Sequence, residues 1–329
     1  MLFVNHKFSF FEKLFVIIEK LRLICQGIYD KICTMKKRLI TIWILTLAML
    51  LSACAIGRPK PTVDPHEGQV YLFDGYDWVW YTPLEGVETN AFSRADFQYI
   101  DGEPVFLGSG YTLRKGIDVS EHQRQIDWEQ VGTRHYDFCY LRIGRRGYTE
   151  GGIFEDSSFR RNYAGAKGCG MELGVYFFSQ AISVTEAIEE ANWVLEHLKN
   201  YPTSLPIAFD WEKVDTDNAR TANLDVNTLT DCAVAFCETI RRAGYEPCVY
   251  YNRTTGYYRY DLTRLTGYKV WLALPCNPPD LVHPSFYYHI DMWQYSLTGQ
   301  VPGITVETDL DYIFVPVPAE TTENPASQP

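Results

Sequence analysis

The stretch Leu205-Pro206-Ile207-Ala208-Phe209-Asp210-Trp211-Glu212 decides the fold prediction, because it is a short apolar run that ends in two acidic residues. Such a run is typical of a strand buried on both faces, as in a parallel sheet. Side chains alternate along a strand, so Asp210 and Glu212 would share one face and Trp211 would lie on the other. The spacing alone also fits solvated charges that open a loop, since Lys213, Asp215 and Asp217 follow.

This segment is one of eight strand candidates between residues 114 and 315. In chain order they are Gly116–Val119, Phe138–Ile143, Leu173–Phe178, Pro206–Asp210, Cys248–Tyr251, Lys269–Ala273, Ile290–Tyr295 and Asp311–Phe314. Helical patterns at Ser158–Lys167, Thr185–Lys199 and Asn227–Ala243 separate the early strands, with Asn227 as the predicted N-cap of the third helix. Strands that alternate with helices predict a parallel sheet, and eight of them in ~200 residues predict a small barrel. The last three strands lie too close together for full helices, so that end should be irregular or antiparallel. The predicted fold class is therefore α/β, an irregular TIM-like barrel over residues 114–315.

The flanking segments have different compositions. In residues 68–113, Asp74-Gly75 and Asp101-Gly102 lie between apolar runs, which predicts two β-hairpins in a small β-rich element. Residues 316–329 are rich in Pro, Thr, Glu and Ser, and we expect a disordered tail.

The N-terminal segment has the pattern of a bacterial lipoprotein signal peptide over residues 35–53. A basic start at Met35-Lys36-Lys37-Arg38 precedes an apolar run, and Leu51-Ser52-Ala53-Cys54 is similar to a lipobox, in which Cys54 carries the lipid. Residues 54–67 then form a linker, and residues 1–34 are an upstream mis-start or an amphipathic extension. An ordinary secretory signal or an anchor helix is the alternative. We therefore expect an exported protein, anchored by lipid to the bacterial cell envelope.

The composition restricts the partners. Residues 1–53 contain 8 of the 30 Lys and Arg residues and 3 of the 41 acidic residues, so residues 54–329 carry a net charge of about −16. This charge argues against a nucleic acid partner. The six cysteines after Cys54 could oxidise in an exported chain, but apolar surroundings favour buried thiols for most of them. No Cys or His spacing is typical of a zinc site, and we predict no metal, no cofactor and a monomer.

Polar side chains gather at the carboxyl ends of the predicted strands, which is where barrels of this class place their chemistry. Four of them are carboxylates from distant parts of the chain, and aromatic residues lie between them. The set is Asp118, Tyr176, Asp210, Glu212, Tyr250, Trp271, Gln294 and, at the start of the eighth strand, Asp309. Convergent acids with aromatic platforms are typical of a glycosidase cleft.

With these residues in place, the chain resembles the family 25 glycoside hydrolases, which are muramidases of bacteria and phages. The opening Gly116-Ile117-Asp118-Val119-Ser120, followed by Gln123, Ile126, Asp127 and Trp128, carries the first part of the resemblance. Later stretches follow in the family's order: Arg142-Ile143-Gly144, Gly174-Val175-Tyr176-Phe177-Phe178, Asp210-Trp211-Glu212, Trp271-Leu272-Ala273, Trp293-Gln294-Tyr295-Ser296 and Thr308-Asp309-Leu310-Asp311. The resemblance covers residues 115–314. It implies a barrel of five β/α units followed by three strands.

The resemblance also implies cleavage of the β-1,4 bond between N-acetylmuramic acid and N-acetylglucosamine in peptidoglycan glycan strands. By matching motif, Glu212 would be the general acid and Asp210 its partner, while Asp118 and Asp309 would complete the acidic cluster. Sugar-binding residues would be Tyr176, Tyr250, Trp271, Trp293 and Gln294, although Trp293 fits core packing nearly as well. The chain departs from the family at Pro275, where a Tyr is usual, and at Asp311, where an Asn is frequent.

Two other functions compete with this one. A chitinase-like N-acetylhexosaminidase would carry an earlier acid in its D-x-D-x-E motif, and Ala208 stands there instead. A lipid-anchored peptidoglycan-binding protein without activity would not need all four acids. Asp210 could serve as a nucleophile, as a base for water, or as a group that orients the substrate's own N-acetyl. The D-x-E spacing favours the last of these.

Overall fold

The computed structural model describes residues 14–22 and 64–318. Residues 14–22 form a helix within a unit of residues 1–67, and a second compact unit, residues 68–329, contains all the elements below. The predicted signal peptide, Cys54 and most of the linker and tail lie outside the described residues. No helix in the described ranges is long and apolar enough to cross a membrane.

Thirteen strands are found in residues 64–318. They are β1 Val70–Phe73, β2 Trp78–Tyr81, β3 Phe97–Ile100, β4 Glu103–Phe106, β5 Tyr111–Val119, β6 Phe138–Arg146, β7 Ile153–Glu155, β8 Glu172–Ser179, β9 Ile207–Trp211, β10 Pro247–Asn252, β11 Lys269–Ala273, β12 Met292–Gly299 and β13 Thr308–Pro316. The α-helices of this unit are α1 Trp128–Gly132, α2 Phe159–Gly168, α3 Val184–Leu198, α4 Val226–Arg242 and α5 Arg253–Tyr258.

Eight strands close into a barrel, as the sequence predicted. The order is β5-β13-β12-β11-β10-β9-β8-β6, and a parallel pairing of β5 with β6 completes the ring, while β7 adds to the edge of β6. The barrel strands from β5 through β12 run parallel to their neighbours in the ring, the edge strand β7 is antiparallel to β6, and β13 is antiparallel to both β12 and β5. Only residues 300–307 connect β12 to β13, and a parallel crossover needs about a dozen residues or more. The short connection therefore explains the antiparallel strand.

Two apolar layers hold the barrel. The inner layer fills its lumen with Phe138, Tyr140, Ala208, Trp271 and Met292. The outer layer lies between the strands and the helices, where every second side chain of the strands packs on the helix stripes. Strand β9 shows this alternation, because Ala208 belongs to the inner layer and Phe209 to the outer one.

The helix ends follow local hydrogen bonds. Ser183 caps α3, since its hydroxyl accepts from the Glu186 N–H at 3.3 Å. The predicted cap of α4 was wrong by two positions: the Asp225 carboxylate accepts from the Thr228 N–H at 3.0 Å, so Asn227 lies inside the helix. Both residues are good N-caps, and the sequence alone did not separate them.

Residues 68–113 form the two predicted hairpins, β1 with β2 and β3 with β4, both antiparallel. The second turn has Asp101 at φ 51° and Gly102 at φ 88°, the positive values that a tight two-residue hairpin turn requires. Strand β5 begins at Tyr111, so the barrel starts slightly before the predicted boundary at residue 114.

Candidate active site

A cleft of about 360 Å³ opens at the mouth of the barrel, where the parallel strands end. Its lining residues are Asp118, Ser120, His122, Gln123, Arg142, Tyr148, Tyr176, Phe178, Asp210, Glu212, Tyr250, Trp271, Gln294, Leu297, Glu307 and Asp309. Volumes of this order are typical of small-ligand sites. All four predicted acids and four of the five predicted sugar-binding residues lie in this cleft.

The four acids come from three strands. Asp118 stands near the end of β5, and Asp309, its partner in the register, stands near the start of the antiparallel β13. Asp210 and Glu212 come from the end of β9, and Trp211 between them is buried in the outer layer. The polarity of β13 explains why an acid at a strand start meets acids at strand ends.

A chain of hydrogen bonds fixes the side of the cleft next to Asp118. The Gln294 amide donates to Asp118 Oδ2 at 2.7 Å, and the Tyr250 hydroxyl donates to Gln294 Oε1 at 2.9 Å. Gln294 is thereby held with its nitrogen toward the acid and its oxygen toward the tyrosine. The two predicted sugar-binding residues therefore also position Asp118.

Burial raises the pKa values of the acids in the cleft. It is the largest cause that raises the pKa of Asp118, to about 6, and of Asp309, which is half-buried, to about 9. Burial and the neighbouring Glu212 and Asp118 carboxyl groups raise the pKa of Asp210 well above its usual range. Asp210 Oδ1 has no hydrogen-bond donor among the described residues. A buried acid with one oxygen that lacks a donor and with two acidic neighbours is stabilised in its neutral form.

Glu212 differs from Asp210 in its exposure. The residue reaches solvent at the rim, yet protein atoms crowd its carboxyl group from the inner side, and this desolvation raises its pKa. Because water still reaches the group, we expect a smaller shift than for Asp210. A carboxylic acid that is accessible to a ligand and has a raised pKa can donate a proton near neutral pH.

Asp311 is a fifth acid of this cluster and was not among the predicted site residues. It lies buried beneath the cleft, where the Trp271 indole N–H donates to Asp311 Oδ1 at 2.9 Å. Burial and the charges of Asp118 and Asp309 raise the pKa of Asp311 well above its usual range. Its alternation with Asp309 along β13 was the available signal, since residues two apart share a face.

The structure corrects one predicted sugar-binding residue. Trp293 is fully buried in the outer layer, on the opposite face of β12 from Gln294. Its indole N–H donates to the Leu274 carbonyl at 2.8 Å, and its ring meets Phe97 edge-on at 5.6 Å. Trp293 therefore fills the core and contacts no ligand in the cleft.

Trp271 and Tyr176 form the aromatic wall below the acids. The ring of Trp271 packs against Tyr250 at 5.0 Å and Tyr176 at 6.1 Å, both close to perpendicular. Trp271 is itself almost completely buried, so it supports the wall more than it exposes a platform. Tyr176 and Tyr250 are the rings that line the open cleft.

Arg142 is a cation in the cleft and was not among the predicted site residues. It extends from β6, where Nε donates to Asp156 Oδ2 at 2.8 Å and an Nη donates to Glu121 at 3.0 Å. Its charge lowers the pKa of Asp210 and so opposes the stronger effect of burial. Its place in the sequence, two positions after Tyr140, was the signal that it faces the lumen.

A second cavity lies near the other end of the barrel and differs in its chemistry. It has about 390 Å³ and is lined by residues that include Arg114, His135, Asp137, Cys169 and Glu172. Arg114 there forms an ion pair with Glu172, so this cavity lacks a cluster of unpaired acids. In the described ranges, no group of three or more His, Cys, Asp and Glu side chains is arranged to hold a metal ion.

The sequence profile of the glycosyl hydrolases family 25 matches residues 117–304, which is more than half of the chain. The chain belongs to glycosyl hydrolase family 25. The matched residues run from β5 to just before β13 and contain Asp118, Asp210 and Glu212. The hairpins of residues 68–106 lie outside the match.

Relatives of this family-25 chain include an autolytic lysozyme of Clostridium acetobutylicum, 25% identical over 60% of this chain and 55% of that protein. Lysozyme M1 of Streptomyces globisporus is 24% identical over 80% of this chain and 84% of its own. Among solved structures, the modular autolysin LytC of Streptococcus pneumoniae, in complex with a synthetic peptidoglycan ligand, aligns with a TM-score of 0.53 and 25% identity. That alignment covers 67% of this chain and 52% of LytC, so the chain spans about half the length of two of these proteins.

Proposed function

We propose that this family 25 member is a peptidoglycan hydrolase that cleaves the β-1,4 bond between N-acetylmuramic acid and N-acetylglucosamine. The observation that carries the proposal is the pair at the end of β9, in which Asp210 and Glu212 face one cleft and both have raised pKa values. The relatives named as lysozymes and the LytC complex with a peptidoglycan ligand agree with this substrate.

In this mechanism Glu212 gives its proton to the glycosidic oxygen as the bond to the anomeric carbon breaks. The positive charge that develops on the sugar is stabilised by negative charge in the cleft. Asp118, with a pKa of about 6, supplies part of that charge near neutral pH. A water molecule then completes hydrolysis and returns a proton to Glu212.

Asp210 orients the substrate's own N-acetyl group, whose carbonyl oxygen attacks the anomeric carbon. The buried Asp210 carboxyl group has one oxygen that lacks a donor, so it is suited to accept a hydrogen bond from the N–H of this amide, which leaves the amide oxygen free to attack. Products should then retain the β anomer. A substrate without the acetamido group should react at least about 100-fold more slowly if it loses this internal nucleophile.

The decisive experiment compares wild type with Glu212→Gln on purified cell walls, by turbidity and by mass spectrometry of released muropeptides. We expect Glu212→Gln to lower the rate about 100-fold to 10,000-fold, which is the usual contribution of a general acid. The control is Glu246→Gln, the same substitution just before β10 at the far end of the barrel. Wild type that binds walls without releasing fragments would instead be a non-catalytic binder. Fragments from chitin alone would indicate the chitinase-like activity.

We also propose that the barrel of residues 114–315 is exported and held at the cell envelope by a lipid on Cys54, as a monomer. The basic start, apolar run and lipobox-like Leu51-Ser52-Ala53-Cys54 support this proposal. Metabolic labelling with palmitate should mark wild type and leave Cys54→Ser unlabelled, and the mass of the labelled chain would show whether residues 1–53 are removed. Sedimentation velocity of the purified protein would test the monomer.

A further inference from the structure

The β1–β2 hairpin has one face made of aromatic side chains, which we call the aromatic face: Tyr71, Phe73, Trp78 and Trp80. The register pairs Tyr71 with Trp80 and Phe73 with Trp78, and residues directly opposite each other share a face. Tyr71 is 56% exposed, Trp78 58% and Trp80 48%. The Tyr71 ring is stacked on Trp78 at 5.5 Å with an angle of 25° and lies 5.1 Å from Trp80 at an angle of 45°, so the rings form one contiguous aromatic cluster.

The opposite face of the hairpin holds it on the barrel. Leu72 and Tyr81 pack against the outer layer, and the Tyr288 hydroxyl donates to the Tyr81 hydroxyl at 2.9 Å. The Tyr81 ring also lies 5.1 Å from Tyr257 in α5. Leu72 and Tyr81 therefore anchor the hairpin from this opposite face, and burial in the core does not explain why the exposed residues are aromatic.

The hairpin lies beside the mouth of the barrel. The Tyr258 hydroxyl donates to the buried Asp74 in the turn of the hairpin, and the Arg253 guanidinium lies 5.3 Å from the centre of the Phe73 ring. Arg253 and Tyr258 belong to α5, which begins three positions after Tyr250, a residue that lines the cleft. Three residues span at most about 11 Å, so the hairpin packs on a helix that begins close to the cleft.

The chemistry of the aromatic face favours a sugar chain over a membrane. Flat rings with polar tips stack on the apolar faces of sugar rings and leave the hydroxyl groups hydrated. Residues 64–93 contain no Lys or Arg and include Asp64, Glu67, Asp74, Asp77, Glu85 and Glu88. Surfaces that bind anionic lipid are usually rich in basic residues, and this one is acidic. The sugar backbone of a glycan strand carries no charge of its own.

We infer that the aromatic face is a second glycan-binding site, which holds the strand of β-1,4-linked N-acetylated hexosamines where it leaves the cleft. This inference rests on the proposed function, because it requires the strand in the cleft to be peptidoglycan. The site lies outside residues 117–304, so the family match says nothing about it. A site of this kind keeps the enzyme on a long polymer and contributes nothing to the cleavage of a short one.

Binding can be tested without cleavage, in full-length protein that carries Glu212→Gln. Trp78→Ala with Trp80→Ala should raise the Kd for purified peptidoglycan sacculi, measured by co-sedimentation, by about tenfold, as expected when central aromatic contacts are removed. The matched control is Tyr99→Ala, because Tyr99 is 40% exposed on the other hairpin, in β3. Its Kd should change by less than about twofold.

A rescue variant separates lost contacts from a lost fold. Trp78→Tyr with Trp80→Tyr keeps the ring surface and should restore most of the binding. If the alanine and tyrosine variants bind sacculi equally weakly while their thermal unfolding matches that of the parent, ring stacking is not the cause and the inference is wrong. Unchanged Kd in the alanine variant would overturn it as well.

Kinetics of the active enzyme add a second test. In the active enzyme, which keeps Glu212, the double variant Trp78→Ala with Trp80→Ala should raise KM for sacculi by about tenfold. It should leave kcat/KM for a soluble disaccharide-peptide dimer unchanged. Vesicles of phosphatidylglycerol and phosphatidylethanolamine test the membrane as occupant: binding that disappears in the alanine pair, with normal binding to sacculi, would overturn the inference. If wild type binds sacculi through these rings but releases no muropeptides, only the proposed function fails.

Discussion

Two aspartates, Asp156 and Asp210, are equally buried but differ in their hydrogen-bond partners. Asp156 is 2% exposed and Asp210 is 3% exposed. Asp156 accepts from Arg142 Nε at 2.8 Å, from the Glu121 N–H at 3.0 Å and from the Ser158 N–H at 2.9 Å. Asp210 has one oxygen with no donor in the described part of the chain, and acids as neighbours.

Burial alone therefore does not mark a reactive acid. A charged carboxylate can be buried when donors and a cation replace its water, which is the situation of Asp156. Where donors are missing, the acid lowers its free energy by keeping its proton, which is the situation of Asp210. One aspartate stabilises the fold at the base of the cleft wall, and the other is available to a ligand.

The largest expected effect is on activity at Asp210. Asp210→Asn keeps the shape and removes the ability to exist as an acid, and we expect muropeptide release to fall by about 100-fold or more. Its urea midpoint should stay the same or rise. Near neutral pH, unfolding lets the Asp210 carboxyl group ionise, which favours the unfolded state of wild type, and an asparagine removes this effect. If Asp210→Asn has normal activity and a lower urea midpoint, Asp210 stabilises the fold and does not act in catalysis, which contradicts the prediction.

The second effect is on stability at Asp156. Asp156→Asn leaves the buried Arg142 guanidinium without its main anionic partner, and we expect the free energy of unfolding to fall by about 3 kcal/mol. Urea denaturation followed by circular dichroism measures this change. The exposed pair of Lys213 with Asp215 provides the control, since Asp215→Asn should cost less than about 1 kcal/mol.

The third effect is the pH dependence of stability. Asp309 has a pKa raised to about 9, so between about pH 4 and pH 9 the folded chain binds more protons than the unfolded chain. Stability must then fall as pH rises through this window. We expect Asp309→Asn to flatten the decline, with a melting temperature at least about 2 °C above wild type at pH 9. Equal slopes for the two proteins would show that Asp309 ionises normally.

The smallest effect is expected at Asp311. Its neutral carboxyl has nearly the shape of an amide, and Asp311→Asn should lower kcat/KM by no more than about threefold. Asp311→Leu removes the acceptor of the Trp271 indole N–H and should lower the free energy of unfolding by about 1–3 kcal/mol. A large loss in the asparagine variant would mean that the charge of Asp311 is needed.

The sequence predicted the barrel because strands alternate with helices along the chain. It predicted the acids because side chains alternate between the two faces of a strand. Asp118, Asp210, Glu212 and Asp309 stand at the ends or the start of apolar runs, and the end of a parallel strand has a known place in a barrel. The same reasoning placed Trp211 away from Glu212. For these acids, the position in the apolar run was therefore enough to infer that they face the mouth of the barrel.

The remaining features of the site depend on how deeply a side chain is buried and on which residues of other strands it contacts. The pattern of a single strand does not reveal either. Trp293 and Gln294 are neighbours on opposite faces, and only the register of β12 with β11 shows which one faces the lumen. Asp311 is two positions below Asp309, and its burial depends on Trp271 from another strand. The pairing of Arg142 with Asp156 joins residues 14 positions apart through a local excursion of the chain that the pattern did not predict.

The reversed direction of β13 decides where the molecule can accept additions. This strand starts at the mouth and runs down the barrel to Pro316, next to Tyr111, and the Val317 N–H still bonds to the Gly110 carbonyl at 2.8 Å. A reporter domain fused beyond this point would begin at the end away from the acids and leave the opening clear. The same domain inserted into residues 300–307 would stand directly on the rim, so one end of the barrel is free for engineering and the other is not.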